Sequence, residues 1–292
     1  MILHRQYLAK WWAPAKINLF LNLICKRPDN YHELQTAFAN ITLCDTLNFV
    51  VTDDKKLHLE TRGLSVDCAD RDNLVWRAAE YLKSTAKVKN GCRIILNKAI
   101  PSGSGLAGGS SDAATTLIAL NILWKTHIPN QQLQEIGAKL GQDVPFFIAG
   151  KPSWGIEKGG LIKIPPTGIR VPPYCILLMP PISVLSSKIY DKLPITTKGI
   201  RYELFDKESY HHGNDMEEIV INNHPEVGKA KAWLGRWGRA QITGSGSCVF
   251  CLLNNIETAL EVVKNSKTHR LGKIYLTKTL VQHPHYHLAN NY

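Results

Sequence analysis

A glycine-rich segment at residues 100–120, with the sequence IPSGSGLAGGSSDAATTLIAL, contains the residue types that bind phosphate. It follows an apolar stretch that predicts a strand and leads into an Ala- and Leu-rich stretch that predicts a helix. Glycine allows backbone N–H groups to approach an anion closely, and the first turn of a helix carries partial positive charge. The segment therefore predicts a loop that holds a phosphate group.

Two common phosphate-binding loops do not account for this segment. The nucleoside-triphosphate loop GxxxxGK[ST] needs a lysine after the glycines, and none follows here. The dinucleotide-binding loop matches the spacing of Gly103, Gly105 and Gly108, but it also needs an acidic residue about 20 positions later, where this chain reads ILWKTHIPNQ. A loop that only turns the chain would leave the paired serines Ser110 and Ser111 without a role.

Two charged residues are candidates for acting on the bound phosphate. Strand alternation in WWAPAKINLFLNL places Lys16 and Asn18 on one face, and a lysine in an apolar strand is costly unless it meets an anion. Asp143 follows a predicted helix, and we expect Pro145 to hold Val144 in extended backbone and so fix the aspartate. Considered alone, each residue has another interpretation: Lys16 as a lysine that protects an edge strand from aggregation, and Asp143 as a solvated turn residue.

The elements that must position these residues alternate between strands and helices. In the first half the patterns predict strands at 15–24, 45–51 and 92–100, and helices at 73–84, about 111–124 and 130–140. Glycines and prolines at 150–173 are typical of a domain junction. Beyond them we predict a second α+β layer: strand YCILLM, helices near 184–192 and across 215–236, strand CVFCLL, helix IETALEVVKNS and strand GKIYLTKTL.

The bulk composition of the 292 residues excludes some classes of protein and leaves others open. No apolar run approaches the roughly 18 residues of a membrane span, and charges interrupt the N-terminal stretch that a signal sequence would need, so we expect a cytoplasmic protein. Seven cysteines with irregular spacing argue against a disulfide framework. The formal charge of +11 attracts anions, which include nucleic acid, membrane surfaces and small phosphorylated substrates.

The motif PSGSGLAGGSSDA is a long match to Pro-x-x-x-Gly-Leu-x-Gly-Gly-Ser-Ser, and through it the sequence resembles the GHMP kinase superfamily, which phosphorylates small alcohols with ATP. The segments RPDNYHELQT, DNLVWRAA and ITGSGSCVF narrow the resemblance to the member whose substrate is a cytidine-diphosphate-linked methylerythritol in the non-mevalonate isoprenoid pathway. The likeness runs from about Trp12 to Thr279. It implies phosphorylation of the 2-hydroxyl of that substrate.

The resemblance also implies a fold and a catalytic pair. The fold is α+β, a two-domain GHMP kinase fold with an S5 domain 2-like N-terminal domain at 1–160, which carries ATP, and a ferredoxin-like C-terminal domain at 161–292. Both substrates would lie in the cleft between the domains. Asp143 would accept the proton of the substrate hydroxyl, and Lys16 would orient that hydroxyl and the γ-phosphate.

The resemblance assigns binding roles to further residues. Asn73 and Lys98 would lie near the adenine of ATP. The triphosphate would be wrapped by Pro101, Ser102, Gly103, Ser104, Gly105, Leu106, Ala107, Gly108, Gly109, Ser110 and Ser111, with Ser110 or Ser111 near Mg²⁺. Asn18 and His32 would hydrogen-bond the cytidine diphosphate, Tyr31 and Tyr190 would stack on the cytosine, and Gly244 and Ser245 would approach the substrate phosphates.

The implied cofactors are ATP and Mg²⁺, and the implied partner is a small cytidine-diphosphate substrate. We expect no nucleic-acid or membrane partner and a monomer or weak homodimer. A different alcohol within the superfamily, and a non-catalytic RNA-binding module on the S5-like fold, are the alternatives. We expect the terminal HPHYH (283–287) to be mobile rather than metal-binding, and KAKAWLGRWGR (229–239) to be a helix that buries Trp233 and Trp237.

Overall fold

The computed structural model describes residues 10–29, 31–66, 68–165, 168–193, 202–203, 213–266 and 270–290. The strands are β1 (Trp11–Lys26), β2 (His32–Thr52), β3 (Leu57–Gly63), β4 (Gly91–Lys98), β5 (Ser153–Ile156), β6 (Leu161–Lys163), β7 (Tyr174–Met179), β8 (Ala240–Ile242), β9 (Val249–Leu253) and β10 (Lys273–Leu280). The helices are α1 (Leu74–Thr85), α2 (Gly108–Leu123), α3 (Asn130–Leu140), α4 (Val144–Ala149), α5 (Ser186–Tyr190), α6 (Glu217–Asn223), α7 (Pro225–Leu234), α8 (Ile256–Asn265) and α9 (Tyr286–Ala289). The predicted α+β class is confirmed.

The strand β2 organises the first half of the sheet. One of its edges pairs antiparallel with β1 along most of the length of both strands, which sets Lys16 opposite Asn40. Its other edge pairs in turn with β5, with the end of β10 and with β4, and β3 runs parallel to β4. The sequence patterns predicted β1 and the second half of β2, but β2 already begins at His32 because its first residues are also buried.

Helices cover this sheet with a large apolar core. Residues of α1 to α4 pack against β2 and β4 in a cluster that includes Phe38, Phe146 and Leu117. The helix α2 begins at Gly108, three residues before the predicted start, after Ala107 in the left-handed region with φ of 55°. All of its residues from Ser111 to Asn121 are buried. The end of the glycine-rich segment is therefore held on the core by the helix that follows it.

The second half of the chain extends the same sheet. The order β2-β10-β7-β9-β8 joins the two halves, since β10 pairs with β7 over residues 273–278 and with β2 at Thr279 and Leu280. The β5–β6 hairpin spans residue 160 and pairs with β2, so by pairing it belongs to the first half. The domain boundary between residues 160 and 161 therefore stays a prediction.

The predicted burial of the two tryptophans in 229–239 is confirmed in part. Trp233 lies on α7 and is buried, whereas α7 ends at Leu234 and Trp237 is half-buried beyond it, with its ring centroid 4.5 Å from that of Trp233. Gly235 and its neighbours end the helix before the second tryptophan is reached. Within the described ranges no helix has the length and apolar character that a membrane crossing requires. The same ranges contain no group of three or more His, Cys, Asp or Glu side chains suited to a metal ion.

The expectation of a mobile HPHYH segment is wrong. His283 is buried and its N–H donates to the carbonyl of Gly150 at 2.6 Å. The Nε2 atom of His285 accepts from the N–H of Trp12 at 2.8 Å, and its ring lies 4.7 Å from that of Trp11. Proline and histidine here do not loosen the chain, because aromatic packing and backbone hydrogen bonds hold the segment on the start of β1 and the end of α4.

This packing predicts a loss of stability in acid. Burial lowers the pKa of His283 from 6.5 to about 3, with a further contribution from His285. The folded state thus binds fewer protons than the unfolded state below pH 6.5. The contribution of neutral, buried His283 to stability is fully present above that pH. It is lost as the pH falls towards the folded pKa, and the loss is about 3 kcal/mol at about pH 4.

Urea unfolding of the wild type and of His283→Asn between pH 4 and pH 8 checks this expectation. The asparagine Oδ1 replaces the Nδ1 that accepts from the His285 N–H, but it cannot take up a proton in this pH range. The variant should therefore show a flatter dependence of the unfolding free energy on pH. Equal slopes for the two proteins would contradict the assignment to His283.

Candidate active site

A cavity of about 830 Å³ opens where β1, the glycine-rich segment and the start of α4 meet loops from the second half. Most of the predicted site residues line it. They are Lys16, Asn18, Tyr31, His32, Lys98, Pro101, Ser102, Gly103, Ser104, Gly105, Ala107, Gly108, Gly109, Ser110, Asp143, Tyr190, Gly244 and Ser245. Residues separated by more than 200 positions thus meet in one site.

Three predicted ligand-binding residues do not line the cavity. Asn73 is the N-cap of α1, where its Oδ1 accepts from the N–H of Val75 at 2.9 Å. Leu106 faces the core, and its carbonyl accepts from the N–H of Lys16 at 3.1 Å. Ser111 is fully buried on α2, because successive helical residues point about 100° apart and Ser110 takes the side that faces the cavity.

The two catalytic candidates converge. The Nζ atom of Lys16 lies 3.6 Å from Oδ2 of Asp143. The lysine is buried, while the aspartate side chain keeps 28% of its exposure. Burial lowers the pKa of Lys16, and the charge of Asp143 opposes that shift. The pair therefore places the partly accessible carboxylate of Asp143 next to the buried ammonium group of Lys16.

Asp143 is positioned differently from the sequence expectation. Val144 is not extended; it is the first residue of α4, and Asp143 itself has φ of −87° and ψ of −11° as the N-cap. A proline is tolerated in the first turn of a helix, where its missing N–H has no intrahelical partner. The helix start, with Val144 to Ala149 all buried, rather than an extended segment, holds the carboxylate in place.

Asn18 holds the other member of the pair. Its Oδ1 accepts from Nζ of Lys16 at 2.6 Å, and its Nδ2 donates to Oγ1 of Thr36 at 2.8 Å. Thr36 in turn donates to the carbonyl of Phe20 at 2.6 Å. The residue that was assigned to the cytidine end by resemblance thus has its amide engaged on Lys16 within the protein.

The glycine-rich loop is bonded to the second half. The carbonyl of Gly103 accepts from the N–H of Val184 at 3.0 Å, and that of Ser104 accepts from the N–H of Cys248 at 3.1 Å. Gly105 has φ of +76°, and a Cβ there would lie 2.0 Å from the carbonyl oxygen of Thr243. Only glycine fits this close approach, which brings the loop and the ITGSGS segment together.

Lys98 joins two buried acids below the loop. Its Nζ contacts Oδ2 of Asp45, and it lies 2.7 Å from Oδ2 of Asp112. The other oxygen of Asp45 accepts from the N–H groups of Ala99 at 2.5 Å and Ile100 at 2.9 Å. Sequence reasoning placed Lys98 at the adenine and missed the acids, which lie 53 and 14 positions away along the chain.

The pKa values of Lys98 and Asp112 in this cluster are shifted from their ordinary values. Burial opposes the charge of Lys98, but the two carboxylates together raise its pKa. Burial raises the pKa of Asp112 to about 8, against the effect of Lys98 and with that of Asp45. The ammonium therefore stays charged and holds the start of α2 to the strand that leads into the loop.

Aromatic residues form another part of the cavity wall, here called the aromatic end. The ring centroids of His32 and Tyr190 lie 5.7 Å apart, and Tyr31 is 53% exposed at the rim. Burial lowers the pKa of His32, and burial together with the charge of Asp143 raises that of Tyr190. Both side chains are therefore neutral near pH 7, as suits contact with an uncharged base.

Lys158 and Asp29 are cavity residues that the sequence reasoning missed. The Nζ of Lys158 lies 4.1 Å above the centre of the Tyr31 ring and 2.9 Å from Oδ2 of Asp29. Lys158 lies in the turn between β5 and β6, in a glycine-flanked segment that carries no motif. Its cation–π contact restrains the exposed tyrosine. From the second half, Oγ of Ser245 lies 2.7 Å from Oγ of Ser186.

Family models match both halves of the chain. The model of the GHMP kinases N terminal domain matches residues 73–151, and that of the GHMP kinases C terminal region matches residues 198–267. The first match covers the glycine-rich segment and Asp143, and the second covers the ITGSGS segment. The GHMP kinase fold expected from the sequence is thereby confirmed.

Individual proteins are similar over most of this chain. The 4-diphosphocytidyl-2-C-methyl-D-erythritol kinase of Shewanella denitrificans is 42% identical over 264 residues, which are 90% of this chain and 91% of that one. The kinase of the same name from Shewanella piezotolerans is 41% identical with the same coverage. A crystal structure of 4-(cytidine 5′-diphospho)-2C-methyl-D-erythritol kinase matches with a TM-score of 0.76 and 28% identity, over 93% of this chain and 99% of that chain. A homoserine kinase from Cytophaga hutchinsonii shares the fold, with a TM-score of 0.68 and 16% identity over 94% and 95% of the two chains.

Proposed function

The chain belongs to the 4-diphosphocytidyl-2-C-methyl-D-erythritol kinase family of the GHMP kinases, and from this premise we infer that it transfers the γ-phosphate of ATP to the 2-hydroxyl of 4-diphosphocytidyl-2-C-methyl-D-erythritol, a step of the non-mevalonate isoprenoid pathway. The observation that carries this inference is the meeting of Lys16 and Asp143 at 3.6 Å in a cavity lined both by the glycine-rich loop and by aromatic residues.

The acid–base part of the reaction falls to the catalytic pair. The Asp143 carboxylate is partly accessible and lies on the cavity wall, so it is the group that takes the proton from the attacking 2-hydroxyl. The Lys16 ammonium, fixed by Asn18, is placed to hydrogen-bond that hydroxyl and a γ-phosphate oxygen. Positioning and neutralisation of charge are most of what phosphoryl transfer requires.

The glycine-rich loop supplies the triphosphate site. Its residues lead directly into the N-terminus of α2, a helix of 16 residues whose first turn offers N–H groups and partial positive charge. Lys98 lines the cavity below the loop and is held by two acids, so its ammonium group is fixed in position while Asp45 and Asp112 offset its charge. Contacts of Asn73 and Lys98 with adenine stay part of this proposal.

Mg²⁺ fits the donors that this site offers. The Ser110 hydroxyl lines the cavity, and a hydroxyl oxygen together with phosphate oxygens and water is a set of ligands that Mg²⁺ accepts. When bound, the ion would neutralise charge on the β- and γ-phosphates. Of the two serines considered from the sequence, Ser110 is the one that we assign to the ion.

The aromatic end is the proposed site of the cytidine. Tyr31 at the rim and Tyr190 in the wall offer faces on which a pyrimidine can stack, and neutral His32 offers a ring nitrogen for hydrogen bonding. Gly244 and Ser245 line the cavity between this end and the glycine-rich loop, where the substrate phosphates would lie.

Coupled measurement of ADP release tests the function. The purified chain is assayed with ATP, Mg²⁺ and 4-diphosphocytidyl-2-C-methyl-D-erythritol, and in parallel with homoserine, mevalonate and galactose. We expect a kcat/KM at least 1,000-fold higher for the cytidine substrate, because only that substrate fills the aromatic end. Comparable turnover of another alcohol would assign a different substrate.

A second measurement distinguishes the RNA-binding alternative from the kinase function. The +11 charge predicts some salt-sensitive association with RNA whatever the function. RNA binding that persists at 0.2 M salt, together with no ADP release from any alcohol, would favour the alternative. Cytoplasmic location and a monomeric or weakly dimeric state remain predictions that accompany the proposed function.

A further inference from the structure

Thr243 is a buried residue of the second half whose hydroxyl reaches the groups around Lys16. It directly follows β8 and begins the ITGSGS turn after Ile242. Its Oγ1 accepts from the N–H of Asn18 at 3.0 Å. Its own proton has two acceptors within reach, Oδ1 of Asn18 at 3.1 Å and the carbonyl oxygen of Gly105 at 3.3 Å.

The Asn18 side of this contact fixes the orientation of an amide. The register of β1 against β2 shifts between Asn18 and Phe20, and the N–H of Asn18 is bonded to Thr243 at this irregularity. The side-chain oxygen of Asn18 accepts from Lys16 as well as from Thr243, while its nitrogen donates to Thr36. Asn18 therefore presents its oxygen, and not its nitrogen, to the ammonium group.

The Gly105 side of the contact is equally close. The space that a Cβ of Gly105 would occupy lies 2.0 Å from the Thr243 carbonyl oxygen, so the two backbones touch. Ser104, one residue earlier, accepts from Cys248 of the same turn. A hydroxyl at position 243 thus touches both the triphosphate loop and the residue that orients the catalytic lysine.

We propose that Thr243 is a positioning residue for phosphoryl transfer, whose hydroxyl fixes the Asn18 amide and through it the Lys16 ammonium relative to the glycine-rich loop. The inference rests on the proposed kinase function and adds a residue that is not among the predicted site residues and does not line the cavity. Because Thr243 acts through Asn18, it should affect the rate of transfer more than the binding of either substrate.

Replacement of the hydroxyl by a methyl group tests the proposal. Thr243→Val keeps the side-chain shape. It should lower kcat 10- to 100-fold, because the loss of a buried hydrogen bond costs about 1 to 3 kcal/mol. Both KM values should stay within threefold of wild type. Thr243→Ser should restore kcat to within threefold. Thr277→Val is the matched control, because Thr277 is also buried in the second half, but its hydroxyl donates to the Cys175 carbonyl at 2.9 Å rather than to Asn18 or the glycine-rich loop.

A double-mutant cycle and a labelling experiment separate this role from general loss of structure. If Thr243 acts through Asn18, Thr243→Val in an Asn18→Ala background should lower kcat less than twofold further. Competitive labelling of Lys16 at pH 8 should be at least twofold faster in Thr243→Val, because the ammonium loses its fixed acceptor and its pKa falls.

The outcomes distinguish the two proposals. A wild-type chain without kinase activity would remove the proposed function, while the labelling result would still report on the contact of Thr243 with Asn18 and Lys16. An unchanged kcat in Thr243→Val, independent effects in the cycle, unchanged labelling, or an equal loss of kcat in Thr277→Val would each overturn the role of Thr243.

Discussion

Replacement of Asp143 by asparagine is expected to lower kcat about 1,000-fold, because the amide keeps the size of the side chain but cannot accept the proton of the substrate hydroxyl. The side chain lies on the cavity wall at the N-terminus of α4, and no side-chain capping bond ties it to that helix. The folded structure should therefore tolerate the change. Single-turnover measurement of phosphoryl transfer, with saturating ATP and substrate, gives the effect on the chemical step.

Three controls accompany this prediction. The melting temperature and the KM for ATP should stay close to wild type, and Lys16 should label faster because the aspartate charge no longer supports its ammonium form. Gln142→Ala, at a neighbouring cavity position, should retain the chemical step within tenfold. Turnover of Asp143→Asn within tenfold of wild type would exclude Asp143 as the proton acceptor.

Replacement of Lys98 by methionine is expected to lower the free energy of unfolding by about 3 to 5 kcal/mol at pH 8, because two buried acids, of which Asp112 is partly ionised at that pH, lose their shared cation. Asp45 and Asp112 have almost no exposure and lie on different elements, β2 and α2. Neither can turn to solvent without moving its backbone. Urea unfolding at pH 8 measures the loss.

Two comparisons make this second prediction specific. Adding Asp112→Asn to Lys98→Met should recover part of the stability, because the ionised fraction of Asp112 no longer lies buried without a cation. In Lys98→Met alone the loss should be smaller at pH 5 than at pH 8, since Asp112, whose pKa burial raises to about 8, is protonated in the folded state at pH 5. A loss below 1 kcal/mol at pH 8, or no recovery in the double variant, would show that the cluster does not stabilise the fold.

The meeting of Lys16 and Asp143, the proposed catalytic pair, was predictable from the sequence because the motifs around them resemble those of the GHMP kinases. A lysine in an apolar strand and an aspartate beside a helix end are visible within ten residues of sequence, and the glycine-rich motif lies between them. The backbone conformation at Asp143 was not predictable in the same way. Pro145 disfavours helical backbone at the residue before it, but a proline is also tolerated in the first turn of a helix. The helix forms here because it buries Phe146 and Phe147.

Long-range partners left no local signal. Asp45 reads as the first residue of the predicted strand DTLNFVV (45–51), and nothing in the sequence connects it to Lys98. Thr243 reads as part of a glycine–serine turn, and its contact with Asn18 spans 225 positions. His283 and His285 look like a loose tail because their partners are distant in sequence: His285 packs on the start of β1, and His283 is bonded to Gly150.

The end of β10 has a consequence for how the protein is made. Thr279 and Leu280 fill the edge of β2 between β5 and β4, and Leu280 pairs with Asn40, the residue opposite Lys16. During translation the first half emerges early, but this gap in its central strand stays open until residues 279 and 280 have been synthesised. A chain interrupted before that point has an exposed strand edge beside Asn40, so it should be prone to aggregation.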